Sequence, residues 1–386
     1  MKPCPSCGRV LKSGQLLCEC GASAGFGKPE LGAFAGVDVK VPALDFDRSP
    51  THSFDFSSPL GQSNSQPKLD FPEIAGTSFT LRGGAHSRGT RYRPVLAVGE
   101  AAQGTVKLHH PVALALLPDR GFLVLDFATE GGPVRIQRFD CEGGLCQTVR
   151  QGAAESVGNP ISVPAALAVN QHGHIFVTDM DGSCVIEFAP DGAFVACRGS
   201  EGTGKGQLTN PRAVAADASG AIFIADSGNH RVVRWSSAGE EELVIGINQL
   251  DEGDGWLRAG DGPGEFDDPQ GLALGSDGAI FVADTNNHRV QAFDRDGRFV
   301  SAFGSEGQDA GLLSYPSHVH VGPESTVFVA DLAGRRIQKF DTQGRFAWDI
   351  VLPADAGAMG DFAVDSSGRI LVALRKRHVV MGMEVD

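Results

Sequence analysis

From about residue 92 onward the chain alternates short apolar runs with glycine-containing turns. One unit reads Gly271-Leu-Ala-Leu, Ala279-Ile-Phe-Val-Ala, His288-Arg-Val-Gln-Ala-Phe and Arg298-Phe-Val-Ser-Ala-Phe, with Ser276-Asp-Gly and Arg295-Asp-Gly between runs. Runs of four to six residues rich in β-branched and aromatic side chains, bounded by Asp-Gly, predict antiparallel strands joined by tight hairpins. The unit recurs about six times between Pro111 and the C-terminus. Its clearest landmark is an aspartate closing the second run: Asp126, Asp179, Asp226, Asp284 and Asp331, with Ala373 read at the corresponding place in the sixth copy. The aspartates are 53, 47, 58 and 47 residues apart, and a repeat of that length with four short strands is the signature of propeller blades.

The sixth copy runs Asp361-Phe-Ala-Val, Arg369-Ile-Leu-Val-Ala-Leu and His378-Val-Val-Met-Gly-Met-Glu-Val, and it lacks a fourth strand. A spare strand, Pro94-Val-Leu-Ala-Val-Gly, precedes the first copy. Pairing the two would close a six-bladed ring and remove its exposed sheet edges.

Copies such as Ile222-Phe-Ile-Ala-Asp-Ser-Gly-Asn-His-Arg and Ile280-Phe-Val-Ala-Asp-Thr-Asn-Asn-His-Arg resemble NHL repeats. The resemblance covers roughly residues 92–386 and implies an all-β, six-bladed β-propeller. Such propellers include protein-binding and RNA-binding scaffolds and a lyase, so the resemblance leaves function open.

Two segments precede the propeller, expected over residues 79–386. Residues 1–22 contain Cys4-Pro-Ser-Cys7 and Cys18-Glu-Cys20, which resemble a short zinc ribbon: two knuckles bringing four thiolates to one structural zinc. The second knuckle is one residue short of the usual form, which leaves a metal-free remnant as the alternative. Residues 23–78 are rich in Gly, Ser, Pro and Asp and read as a disordered linker. Within it, Leu44-Asp-Phe46, Phe54-Asp-Phe56 and Leu69-Asp-Phe71 set single aromatics among acids, as docking segments do.

Charge is divided unevenly. Residues 101–386 hold 22 Lys/Arg and 38 Asp/Glu, a net −16 that opposes non-specific binding to nucleic acid. No apolar run is long enough to span a membrane, and the N-terminus lacks a signal-peptide core, so a cytoplasmic protein is expected. Cys141, Cys146, Cys184 and Cys197 lack metal spacing and read as free packed thiols. The acidic stretches Asp251–Asp254 and Asp261–Asp268 match no calcium-loop spacing and read as solvated loops.

Two groups carry candidate chemistry. The first is a basic face: Arg231, Arg289 and Arg336, each five residues after a repeat aspartate, with Arg375, Lys376 and Arg377. The repeated pairs have a structural reading, in which the aspartate accepts bonds from the following turn and the arginine pairs with it. The second lies in the channel. Alternate residues of the first strands give Ala113/Ala115, Ala166/Ala168, Ala213/Ala215, Gly271/Ala273, His318/His320 and Asp361/Ala363. His318, His320 and Asp361 could ligate a divalent metal, or be polar groups wetted by channel water.

The leading expectation is a non-catalytic scaffold for protein–protein interaction with a zinc module. A metal-dependent lyase or hydrolase acting on a small molecule in the channel, and an RNA-binding propeller, are the alternatives.

Overall fold

The computed structural model describes residues 80–83, 92–99, 107–127, 134–150, 161–246, 257–353 and 356–385. The expected zinc module (Cys4, Cys7, Cys18, Cys20), the linker with its Asp-Phe segments and the Asp251–Asp254 loop lie outside the described residues. No helix among those described is long and apolar enough to cross a membrane.

Strand β1 (Thr80–Gly83) and β2 (Tyr92–Gly99) precede the blades. Blade one comprises β3 (Pro111–Leu116), β4 (Phe122–Phe127), β5 (Val134–Phe139) and β6 (Leu145–Arg150). Blade two comprises β7 (Pro164–Val169), β8 (Ile175–Asp179), β9 (Cys184–Phe188) and β10 (Phe194–Arg198). Blade three comprises β11 (Pro211–Ala216), β12 (Ile222–Asp226), β13 (Arg231–Trp235) and β14 (Glu241–Gly246). Blade four comprises β15 (Pro269–Leu274), β16 (Ile280–Asp284), β17 (Arg289–Phe293) and β18 (Phe299–Phe303). Blade five comprises β19 (Pro316–Val321), β20 (Val327–Asp331), β21 (Arg336–Phe340) and β22 (Phe346–Val351). Blade six comprises β23 (Met359–Val364), β24 (Ile370–Leu374) and β25 (Val379–Val385).

Each blade is an antiparallel meander, and β2 supplies the fourth strand of blade six. The register runs from Tyr92 opposite Val385 to Gly99 opposite Val379, as the strand arithmetic requires. The inner strands neighbour one another around the ring, β23 against β3 closing it. Strand β1, which no repeat copy predicts, adds to the outer edge of blade five, Thr80 opposite Val351 and Gly83 opposite Trp348.

Alternation within strands sends side chains to both faces of each blade, so the apolar cores lie at the junctions between blades. Six such clusters are present, one per junction. Each of the first five blades ends its third strand with a fully buried aromatic: Phe139, Phe188, Trp235, Phe293 and Phe340. Burying a side chain of that size is worth about 1.5–3 kcal/mol. Inner strands one to five open with proline opposite the repeat aspartate, a strand-start position where the missing N–H is tolerated.

Candidate functional site

The rim where second strands end and inner strands begin, here the turn face, carries the repeat aspartates. In blades three, four and five the arginine Nε lies 2.7, 2.7 and 3.0 Å from the aspartate Oδ2, in the pairs Asp226/Arg231, Asp284/Arg289 and Asp331/Arg336. Asp126 and Arg135 pair likewise in blade one. The other guanidinium N–H groups of Arg231 donate to the carbonyls of Thr203, Gly204 and Gln207. Arg289 does the same to Asp261, Gly262 and Glu265, and Arg336 to Gln308, Asp309 and Leu312. The Asp261–Asp268 stretch is therefore a braced loop.

The aspartate's other oxygen accepts an amide of the incoming loop, Thr209 to Asp226, Asp267 to Asp284 and Ser314 to Asp331. The following turn also donates, through the side chains of Asn229 to Asp226 and Asn287 to Asp284, and through its backbone in blade five, where the Gly334 N–H reaches Asp331. The pairs thus clamp each incoming loop to the second strand. Burial pushes the Asp226, Asp284 and Asp331 carboxyls above their ordinary value, against the bonds that favour the charged form. Arg231 and Arg336 are only 2% and 4% exposed, which removes them from the expected basic face, and Arg289 spends its donors on the loop.

Blade two keeps Asp179, held by the Ser162 and Val163 amides, but Cys184 stands where an arginine would. The Cys184 thiol lies 3.0 Å from that of Cys197, with no disulfide between them. Blade six has neither partner. Leu374, opposite Met359 and Val379, occupies the aspartate position, so the assignment of Ala373 was one residue early. Both Leu374 and Val379 are fully buried, an apolar replacement for the ion pair.

The turns after the second strands also join neighbouring blades. His230, His288, Arg335 and His378 share one position with φ of 50–54°. The His230 Nδ1 accepts the Asp268 N–H at 3.1 Å, and the His288 Nδ1 accepts the Tyr315 N–H at 3.3 Å. Arg335 donates to the Pro353 carbonyl at 2.6 Å, and the His378 Nδ1 bonds the His109 carbonyl. Two large apolar side chains stand out of this face, Tyr315 at 45% and Leu332 at 37% exposure. Lys376 is exposed on the corresponding turn of blade six, which also carries Arg375 and Arg377.

The small residues expected to line the channel instead fill the narrow gaps between inner strands. Ala113 and Ala213 are 1% and 7% exposed and belong to the cores at the junctions of blades one with two and three with four. A Cβ on Gly271 would sit 2.6 Å from the Ser317 carbonyl oxygen of the next blade. In blade five the same positions hold His318 and His320, and β19 and β23 pack less closely than the other inner strands.

His318 keeps 27% of its side chain open and Asp361 15%, and the His318 Nε2 lies 3.9 Å from the Asp361 Oδ1. Asp361 faces blade one. Its Oδ2 accepts the Leu114 N–H at 2.9 Å and its Oδ1 the Phe362 N–H at 2.8 Å. The His318 Nδ1 bonds the Ser317 hydroxyl at 2.8 Å, and the ring of His320 packs against Phe362 with its Nδ1 buried and unpartnered. Burial lowers the proton affinity of both imidazoles, with Arg375 and Arg212 adding to the effect on His318 and Asp361 opposing it on both. Among the described residues no three His, Cys, Asp or Glu converge as a metal site. His318, His320 and Asp361 do not form such a cluster among the described residues, and each Asp361 oxygen accepts one backbone N–H.

Arg212 escaped the sequence reading. It stands at the second position of β11, where other inner strands have Val112, Ala165, Gln270, Ser317 and Gly360. Aligning those second residues would have exposed it as the one charged side chain. At the opposite rim a cavity of about 980 Å³ is lined by turns that include Asp217, Arg234, Asp277, Glu324 and Asp365.

The sequence profile of the NHL repeat matches residues 208–235 and 266–293, in blades three and four. The chain is 48% identical over 54 residues to the protein brain tumor of Drosophila melanogaster, covering 14% of this chain and 5% of that protein. It is 32% identical over 124 residues to NHL repeat-containing protein 3 of Mus musculus, covering 29% of this chain and 32% of that protein. The matches thus span at most about a third of either relative. Among solved structures, a gluconolactonase from Xanthomonas campestris superposes with a TM-score of 0.54 at 14% identity, covering 79% of this chain and 95% of that one. That likeness is one of fold.

Proposed function

Taking the chain as an NHL-repeat propeller, the family to which it belongs, we propose that it is a non-catalytic cytoplasmic scaffold that presents its turn face to a protein partner. The observation that carries this reading is the pair Tyr315 and Leu332. They are joined by the Leu332 N–H on the Tyr315 carbonyl at 3.3 Å, and both are exposed on a rim that ion pairs and inter-blade bonds hold rigid. An exposed aromatic on a preorganised loop loses little entropy on binding, which is what an interface anchor requires. In the same reading Cys4, Cys7, Cys18 and Cys20 hold a structural zinc.

A phosphate backbone finds fewer cations on this face than the sequence promised, since Arg231, Arg289 and Arg336 are committed to Asp226, Asp284, Asp331 and loop carbonyls. The test is capture from cell extract by the full chain and by Tyr315→Ser with Leu332→Ser. A protein retained by the first and lost by the second supports the scaffold. Equal retention, or no macromolecule held while a small molecule binds the channel, refutes it.

A further inference from the structure

Arg375 lies at the turn face of blade six, reaching the channel rim beside Gly360, where an added Cβ would stand 3.3 Å from its Nε. That Nε is buried and makes no hydrogen bond. Arg212 projects from the second position of β11 in blade three, diametrically across a six-bladed ring. Its Nε is also shielded and unbonded, although the side chain as a whole is 36% exposed; the Asp268 Oδ1 lies 4.0 Å from that Nε, and the Asp268 Oδ2 accepts Gln270. Burial lowers the proton affinity of Arg375, the nearby Asp361, whose oxygens each accept a backbone N–H, opposes that effect, and Arg212 adds to it. A guanidinium carries five donors, and leaving them unmet away from bulk water costs free energy unless an acceptor arrives.

We propose that the channel mouth on the turn face is a receptor for a single oxyanion, a carboxylate or phosphate group, bound between Arg212 and Arg375. The planar fork of each guanidinium suits either group, because both present paired oxygens. The inference is independent of whether Tyr315 and Leu332 bind a protein.

The experiment follows the melting temperature of the full chain at constant ionic strength while chloride is exchanged for inorganic phosphate or, separately, for acetate. The expected result is a saturable rise with at least one of the two, absent in Arg212→Gln and in Arg375→Met. Which anion acts decides between phosphate and carboxylate. Without added anion, Arg375→Met should melt at or above the wild type, since it removes a buried Nε–H that has no acceptor. Parallel gains in all three proteins would reflect general salt exclusion and overturn the proposal, as would no rise with either anion. An Arg375→Met protein melting well below wild type would show that the guanidinium is satisfied within the fold. Should that variant fail to fold at all, the Arg212→Gln comparison still decides.

Discussion

Gly99, the last residue of β2, abuts the carbonyl of His378, the turn residue that opens β25. Its φ of 129° lies where only glycine is at ease, and a Cβ there would collide with the His378 oxygen. The ring is therefore clasped by a strand from before the first blade, at a contact that tolerates no side chain.

Gly99→Ala should destabilise the propeller by about 1–3 kcal/mol, the range for a residue forced into such backbone geometry. Truncation tests the clasp directly. Removing residues 1–90 takes away β1 and the segments before it but spares β2, whereas removing 1–100 also takes β2 and leaves blade six with a bare edge. The second protein should melt much lower or aggregate. Equal melting temperatures would mean that the ring closes in another way.

Breaking one clamp should be costlier than its surface charge count suggests. Asp226→Ala leaves the buried Arg231 without its counter-ion and the Thr209 amide without an acceptor. Removing one partner of a buried pair costs about 3–5 kcal/mol. Urea unfolding of Asp226→Ala against Arg298→Ala, whose ion pairs are exposed, checks this, and the exposed variant should unfold close to the wild type.

These pairs also show what could be read in the sequence. The Asp-x-x-x-x-Arg spacing, the apolar runs and the spare Pro94–Gly99 strand are local and repeated, so blade number and closure followed from counting. Arg212 and β1 were not legible in the same way. β1 is a four-residue segment with no repeat partner, and its place on β22 depends on long-range pairing. Arg212 looks like one more exposed arginine until the ring sets it opposite Arg375. Periodicity gives the face of a strand on which His318, His320 and Asp361 stand, not which backbone amides will bond a carboxylate such as Asp361.

His318 and His320 give the propeller a pH dependence of known sign. Burial holds both imidazoles below the ordinary histidine value of 6.5, with Arg375 and Arg212 reinforcing this at His318 and Asp361 opposing it. Below that value the unfolded chain binds protons that the folded state refuses, so stability is full above pH 6.5 and declines as pH falls toward the lowered values. His318→Gln with His320→Gln should shrink the loss of melting temperature between pH 7 and 5. An unchanged loss would place its origin in other groups.

The outer strand of blade four should be the stickiest edge of the molecule. β18 reads Phe-Val-Ser-Ala-Phe, without charge or proline, and Phe299 and Val300 are 40% and 63% exposed. The corresponding edge of blade five is covered by β1, and that of blade three begins with Glu241 and Glu242. An uncovered, uncharged edge offers its unpaired backbone groups to another strand, and a lysine there blocks such pairing. Val300→Lys touches no core, so its melting temperature should stay within the effect of about 0.5 kcal/mol typical of surface changes. Light scattering at rising protein concentration should show less self-association than the wild type. If scattering is identical in the two proteins, association proceeds through some other surface and β18 is not the exposed liability its sequence implies.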